Sequence, residues 1–488
     1  MKRMKKMASI ALAMVMVFAM TLTMKVTTFA AGKEYTITAP KNDHVYEIYQ
    51  IFTGDVSGKT LSNVKWGANG TGTEGETVDS ATLEAIKGID KDASDQTKLE
   101  TIKKYADLES TPFNTVTNGA SVKVPEGYYL IKDTDKSLAG KDDSYTTYIV
   151  KVAGDVDITP KSDKPSSEKK VKDTNDTDGT TTDWQDSADY DIGDEVPFQL
   201  KGTVASNYDS YKTYKFVFHD KESKGLTFNK ETVKVYVDGT EITQGYTIKE
   251  NPTDNDTFDV EFTNLKDIKS VHAGSVITVE YKSTLNENAV LGSAGNKNTM
   301  HLEYSNNPND DQGGETGNTP DDTVIVFTYK TVINKVDASG NALKGAEFTL
   351  KKRLADGSYE TIEVVTTNNG TTFTFTGLDD GEYVLEETKT PEGYNTISPI
   401  TFKITAEHDI ESDDPQLTKL NGDKVSGEIN FTSDLKEGSL TSNIVNQKGS
   451  ELPETGGTGT TAMYLVGGVL VAGAILLLIT KRRTDADR

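Results

Sequence analysis

Short runs in which apolar and polar residues alternate recur along most of the chain, as in Tyr35-Thr36-Ile37-Thr38, Tyr145-Thr146-Thr147-Tyr148-Ile149-Val150 and Val233-Lys234-Val235-Tyr236-Val237. A period of two predicts strands with one buried face. The runs are rich in Thr, Val, Tyr and Ile and are separated by Asp238-Gly239, Ser339-Gly340 and Asp380-Gly381, which predicts an all-β chain of antiparallel sandwiches. One stretch departs from that period. Between Ser80 and Leu108 the residues Leu83, Ile86, Leu99, Ile102 and Leu108 fall at mixed helical spacings, and a helical insertion in the first domain is expected there. The polar segments Lys161 to Lys172 and Asn306 to Asp322 interrupt the alternation and divide a body too long for one core into domains at 32–161, 162–327 and 328–450. Gly127-Tyr128-Tyr129-Leu130-Ile131-Lys132-Asp133-Thr134 can be laid over Gly381-Glu382-Tyr383-Val384-Leu385-Glu386-Glu387-Thr388, so one strand type is reused.

The two ends follow other rules. Residues 1–30 open with Lys2, Arg3, Lys5 and Lys6, run through the apolar stretch Met7 to Met20, and close on Thr28-Phe29-Ala30, the pattern of a secretory signal peptide. Its apolar core is short for an anchored helix. At 452–488 the order is Leu452-Pro453-Glu454-Thr455-Gly456, an apolar run from about Ala462 to Ile479, then Lys481-Arg482-Arg483. A transmembrane helix with a basic cytoplasmic tail is expected, and a plain single-span anchor is the competing reading.

Composition narrows the function. The formal charge of −24 repels phosphate backbones and argues against nucleic acid as a partner. Removing the five basic residues of 1–30 and the net two positive charges of 456–488 takes it to about −31, which keeps an exported polymer soluble. Cysteine is absent, so covalent bracing cannot come from disulfides. His44, His219, His272, His301 and His408 show no paired metal spacing, and no Gly-rich phosphate loop precedes a helix, so no metal or cofactor is expected. Asp173 to Gly179 is a weak match to a calcium loop, with Thr174 at the first ligand position and Gln185 at the twelfth.

The carboxyl-terminal order resembles the sorting signal of Gram-positive surface proteins, which implies that a sortase cuts between Thr455 and Gly456. In the third domain, Ile333-Asn334-Lys335-Val336-Asp337, Leu343 to Leu350, Tyr383 to Thr388 with Pro391-Glu392-Gly393-Tyr394, and Ile444-Val445-Asn446 resemble the Ig-like collagen-binding-protein B-type (Cna-B) repeat. With the tail, the chain is similar over nearly its whole length to major, or backbone, pilins. That resemblance implies a spontaneous isopeptide bond from Lys335 to Asn446, assisted by Glu387. Alternation independently places Lys335 on the face of Ile333, where desolvation favours a neutral amine; a snorkelling lysine in an ordinary ion pair is the alternative.

In the second domain, Glu168-Lys169-Lys170-Val171, Phe216-Val217-Phe218-His219-Asp220 and Asn298 to Asn306 are similar to the middle domain of such pilins. Parity puts Lys169 with Val171, and Asn298 with Met300, Leu302 and Tyr304, giving Lys169, Asn298 and Asp220 as the trio. Lys170 and Asn306 stay open as substitutes. Lys161, after Val156-Asp157-Ile158-Thr159-Pro160, resembles the lysine that joins one pilin to the next, although Thr159 stands where a Tyr is usual, and a solvated linker lysine is the alternative. The resemblance implies a structural, non-enzymatic protein whose partners are sortase, copies of itself, minor pilins, a host-surface ligand and cell-wall peptidoglycan. A wall-anchored adhesin that never polymerises is the rival reading, and whether the first domain has a crosslink near Asp133 is left open.

Overall fold

The computed structural model describes residues 33–450 and 458–486, apart from 59, 90–92, 94, 139–140, 142, 153, 161, 254, 311–313 and 367–369. The body is mostly β, with strands stacked as successive two-sheet units.

In the amino-terminal unit the Val45–Ser57 strand lies between Thr60–Trp66 and Gly127–Asp133, and Thr147–Val152 closes the far edge. A smaller sheet joins Ser121–Pro125, Glu34–Thr38 and Val156–Asp157, the last pair parallel. The expected helical insertion forms as two short helices, Ser80–Lys87 and Asp95–Lys103. Asp79 caps the first through the amide of Thr82, and Gly88 closes it by donating to the Glu84 carbonyl. Their apolar faces bury Leu83, Ile86, Leu99 and Ile102 in one cluster with Tyr49, Phe52 and Trp66.

The next unit packs a sheet ordered Thr240–Ile242, Leu226–Val237, Val276–Leu285, Glu195–Thr203, Ser166–Val171 against a larger one. The larger sheet centres on Asn296–Ser305, flanked by Asp322–Phe327 and Phe216–Glu222. The third unit pairs Tyr329–Asp337 in parallel with Ser439–Asn446, so the first and last strands of this unit are neighbours. Its second sheet runs Tyr359–Thr366, Glu347–Arg353, Gly381–Lys389, Ile400–His408, Leu417–Ser426.

At the carboxyl end, Thr458–Ala486 is one helix that carries the apolar run. Its described side chains extend from residue 463 to 477, and among the described residues no helix is long and apolar enough to cross a membrane. The leader at 1–30, Lys161 and the Leu452 to Gly456 pentapeptide lie outside the described residues.

Candidate functional site

Alternation along Tyr329–Asp337 turns Tyr329, Thr331, Ile333 and Lys335 into the sandwich. Lys335 is fully buried. Parallel pairing sets Lys335 opposite Ile444 and Asp337 opposite Asn446, which brings the lysine amine to the asparagine side chain from a neighbouring strand. Nζ donates to the Ile444 carbonyl at 3.0 Å and to Asn446 Oδ1. Those two bonds use both N–H groups of a neutral amine and leave its lone pair free. Burial lowers the Lys335 amine to about 8, against the pull of Glu387.

Glu387 arrives from Gly381–Lys389 on the opposite sheet and accepts from Asn446 Nδ2 at 2.9 and 3.0 Å. It also accepts from the Ile397 amide and the Thr390 hydroxyl, both at 3.2 Å, and its Oε1 lies 3.7 Å from Nζ. The carboxyl group thus stands within reach of both the Lys335 amine and the Asn446 amide nitrogen.

The second cluster is built from Ser166–Val171, Phe216–Glu222 and Asn296–Ser305, whose Lys169, Asp220 and Asn298 are all fully buried. Lys169 Nζ donates to Asp220 Oδ2 and, at 3.0 Å, to the Tyr281 hydroxyl. Asn298 Nδ2 donates to the same hydroxyl at 2.8 Å, and the Tyr281 hydroxyl itself donates to Asp220 Oδ2 at 2.9 Å. Tyr281 therefore bridges amine, carboxamide and acid. Burial pushes the Lys169 amine down and the Asp220 carboxyl up. Glu222 is a second acid here, raised to about 8 by burial; Ser283 Oγ donates to its Oε1, which lies 3.4 Å from Asn298 Nδ2.

The two substitutes sit elsewhere. Lys170 points to the other face and pairs with Asp186 at 2.5 Å. Asn306 is buried against the amino-terminal unit, donating to the Asp143 carbonyl at 3.0 Å. In that unit Asp133 is paired with His44, 2.9 Å away, while Lys132 reaches Asp135 at 2.7 Å and Glu47 at 3.2 Å. His44 is raised to about 9: its bonds to Asp133 and Asp143 outweigh the opposing effect of burial.

Sequence reasoning missed Tyr281, Glu222 and Ser283. The signal was present: Tyr281 and Ser283 share the parity of the apolar Ile277, Val279 and Leu285, so a hydroxyl on that face had to be buried. It also missed Lys352, which shares the inward face of Phe348 and Leu350. Lys352 Nζ reaches Asp379 at 2.5 Å, Asp191 at 2.7 Å and Asp176 at 2.8 Å. Those three carboxylates raise its amine despite burial.

Against known proteins, residues 192–308 match the Gram-positive pilin backbone subunit 2, Cna-B-like domain. Residues 330–416 match a prealbumin-like fold domain, and residues 444–486 the LPXTG cell wall anchor motif. The chain is 28% identical over 394 residues to the trypsin-resistant surface T6 protein of Streptococcus pyogenes serotype M6, covering 66% of this chain and 70% of that one. In fold it is similar to the T6 backbone pilin of serotype M6 Streptococcus pyogenes, described as a modular three-domain structure (TM-score 0.52, 18% identity, covering 87% of this chain and all of that one). The chain thus carries a Gram-positive pilin-backbone domain and a prealbumin-like domain ahead of a cell wall anchor motif, is homologous to a backbone pilin, and is anchored at the cell wall.

Proposed function

We propose that the chain is the shaft subunit of a covalent pilus, with domains at 32–161, 162–327 and 328–450. A sortase joins Thr455 of one subunit to Lys161 of the next, and two self-formed Lys-Asn amides brace each subunit. The carboxyl-terminal segment 444–486, which matches the cell wall anchor motif, holds the precursor at the membrane until the cut. The observation that carries the bracing is the Lys335 amine, buried and in contact with the Asn446 carboxamide, with Glu387 behind.

In the reaction the Nζ lone pair attacks Asn446 Cγ, the Cγ–Nδ2 bond breaks, and ammonia leaves as the new amide forms. Glu387 carries the proton from the amine to the departing nitrogen. In the middle unit Asp220 takes that part for Lys169 and Asn298, with Tyr281 relaying. Each site reacts once and on itself, so nothing turns over.

The consequence is mechanical. Load entering at Tyr329 crosses from Lys335 to Asn446, which are 111 positions apart in sequence, and bypasses the segment between them. Closing a loop of that length also constrains the unfolded chain by about 4 to 5 kcal/mol.

Surface extracts boiled in detergent are expected to give a ladder of covalent species that Lys161→Ala abolishes. A single wall-bound band from the unaltered chain would favour the non-polymerising adhesin. The intact mass of the mature body should fall short by one ammonia per internal bond, and an unchanged mass would remove the bracing.

A further inference from the structure

The middle unit holds two acids where the carboxyl-terminal unit holds one. At Lys335 a single carboxyl group, Glu387, reaches both ends of the reaction: its Oε1 lies 3.7 Å from the amine and 2.9 Å from Asn446 Nδ2. At Lys169 the two contacts are divided. Asp220 Oδ2 accepts from Lys169 Nζ and from the Tyr281 hydroxyl, and its Oδ1 has no hydrogen-bond partner among the described residues, so this acid holds the amine and does not bond to Asn298. Glu222 does. Pairing of Phe216–Glu222 with Asn296–Ser305 sets Glu222 directly opposite Asn298, whereas Asp220 falls opposite Met300. Glu222 Oε1 lies 3.4 Å from Asn298 Nδ2, the nitrogen that departs.

Both acids share the inward face of one strand, and each meets its own hydroxyl from the facing sheet. Tyr281 donates to Asp220, and Ser283, on the same face of Val276–Leu285, donates to Glu222 Oε1. Glu222 Oε2 is buried without a hydrogen-bond partner among the described residues, an environment that suits a neutral carboxyl group and not a charged one. Burial, reinforced by the Asp220 carboxyl beside it, raises Glu222 to about 8, so at neutral pH it has a proton to give. Tyr281 is worse placed as the donor. Its one proton is already directed at Asp220, and burial pushes that hydroxyl well above its usual range.

We propose that Glu222 is a second catalytic residue of the Lys169–Asn298 crosslink, the general acid that protonates the leaving nitrogen while Asp220 receives the proton of the amine. The inference rests on the amide-forming reading given above and divides its proton path between two groups. The neutral Lys169 Nζ attacks Asn298 Cγ and gives one proton to the Asp220 carboxylate. Glu222 gives its proton to Nδ2, the Cγ–Nδ2 bond breaks, and ammonia departs as the new amide forms. The two acids hold one proton between them before and after. It begins on Glu222 and finishes on Asp220, so no net charge is created in the core.

The test follows bond formation in the mature chain, made cell-free, collected in denaturant before it folds, and then refolded. Timed digests report the joined Lys169–Asn298 and Lys335–Asn446 peptides separately by mass. Glu222→Gln keeps the size of the side chain and an oxygen for Ser283 but has no acidic proton, so it should slow the first bond by about a hundredfold or more and leave the second at the parent rate. In the parent the first bond should also form more slowly above pH 8, as Glu222 loses its proton, and the residual rate of the variant should lack that fall. Of the other groups that face this carboxyl, Lys169 and Asp220 only gain reactivity as they lose protons, and Tyr281 keeps its own, so the fall belongs to Glu222. If the variant does not fold, judged by circular dichroism, the parent's pH series decides: a fall above pH 8 supports the second acid, and a level rate overturns it. A folded variant that joins Lys169 to Asn298 at the parent rate overturns it too and leaves the Tyr281 relay as the path. A parent in which these two residues never join overturns the amide reading of this unit, and the second acid with it.

Discussion

Lys335 and Lys352 lie in the same unit, both at 0% exposure, yet burial has opposite outcomes for them. At Lys335 there is one acid, Glu387, and both of its oxygens are engaged by the Asn446 carboxamide; desolvation dominates and the amine falls to about 8. At Lys352 three carboxylates surround the ammonium, and their attraction outweighs the same desolvation, so the amine is raised. The lesson is that burial alone does not produce a nucleophile. The number of carboxylates decides whether the buried nitrogen keeps its proton, and a carboxamide in contact decides whether it has anything to attack. Lys169 falls on the Lys335 side of this divide: desolvation lowers its amine because a single carboxylate, Asp220, is in contact with it.

The contrast can be broken at its reactive half first. Glu387→Gln keeps the size of the acid but removes its proton carriage, so Lys335 and Asn446 are expected to remain unjoined. The mass, after allowing for the substitution, should then exceed that of the parent by one ammonia, and the loss of about 4 to 5 kcal/mol should lower the melting temperature of this unit by roughly 15–20 °C. Full crosslinking in that variant would show that the acid is dispensable.

Lys352→Met tests the other half. It strands Asp191 and Asp379 in the interior without a cation, and a destabilisation of about 3 to 5 kcal/mol in denaturant unfolding is expected. The mass deficit of the internal bonds should not change, because Lys352 forms none. A smaller deficit would place Lys352 among the reacting lysines.

The smallest effect is kinetic and follows from the lowered amine of Lys335. Only the neutral form attacks, so its fraction rises with pH up to about 8 and then saturates. A chain held unreacted in denaturant and refolded across a pH series should lose ammonia roughly ten times faster at pH 7 than at pH 6, and level off above pH 8. A rate independent of pH over that range would mean that another step limits bond formation.

Much of this could be read in the chain order. Alternation placed Lys335 beside Ile333 and Lys169 beside Val171 on inward faces, and the structure buries both. It was less informative where two residues share a parity. Asn298 and Asn306 lie on the same face of one segment, yet Asn298 meets Tyr281 in the core while Asn306 meets the Asp143 carbonyl of the preceding unit. Spacing in the insertion suggested a single helical stretch, whereas Gly88 ends the first helix and a second begins at Asp95.

What the sequence by itself determined is therefore local: the order of signals at the two ends, the strand period, and which side chains of a strand turn inward. These depend on neighbours a few positions apart, where backbone geometry fixes direction. Only the tertiary structure decided company. Tyr281 between Lys169 and Asn298, three aspartates around Lys352, and Glu222 opposite Asn298 are brought together by strand pairing and domain packing across tens to hundreds of positions. The pKa of a buried group is set by the charges and dipoles that packing delivers to it, which no local pattern encodes.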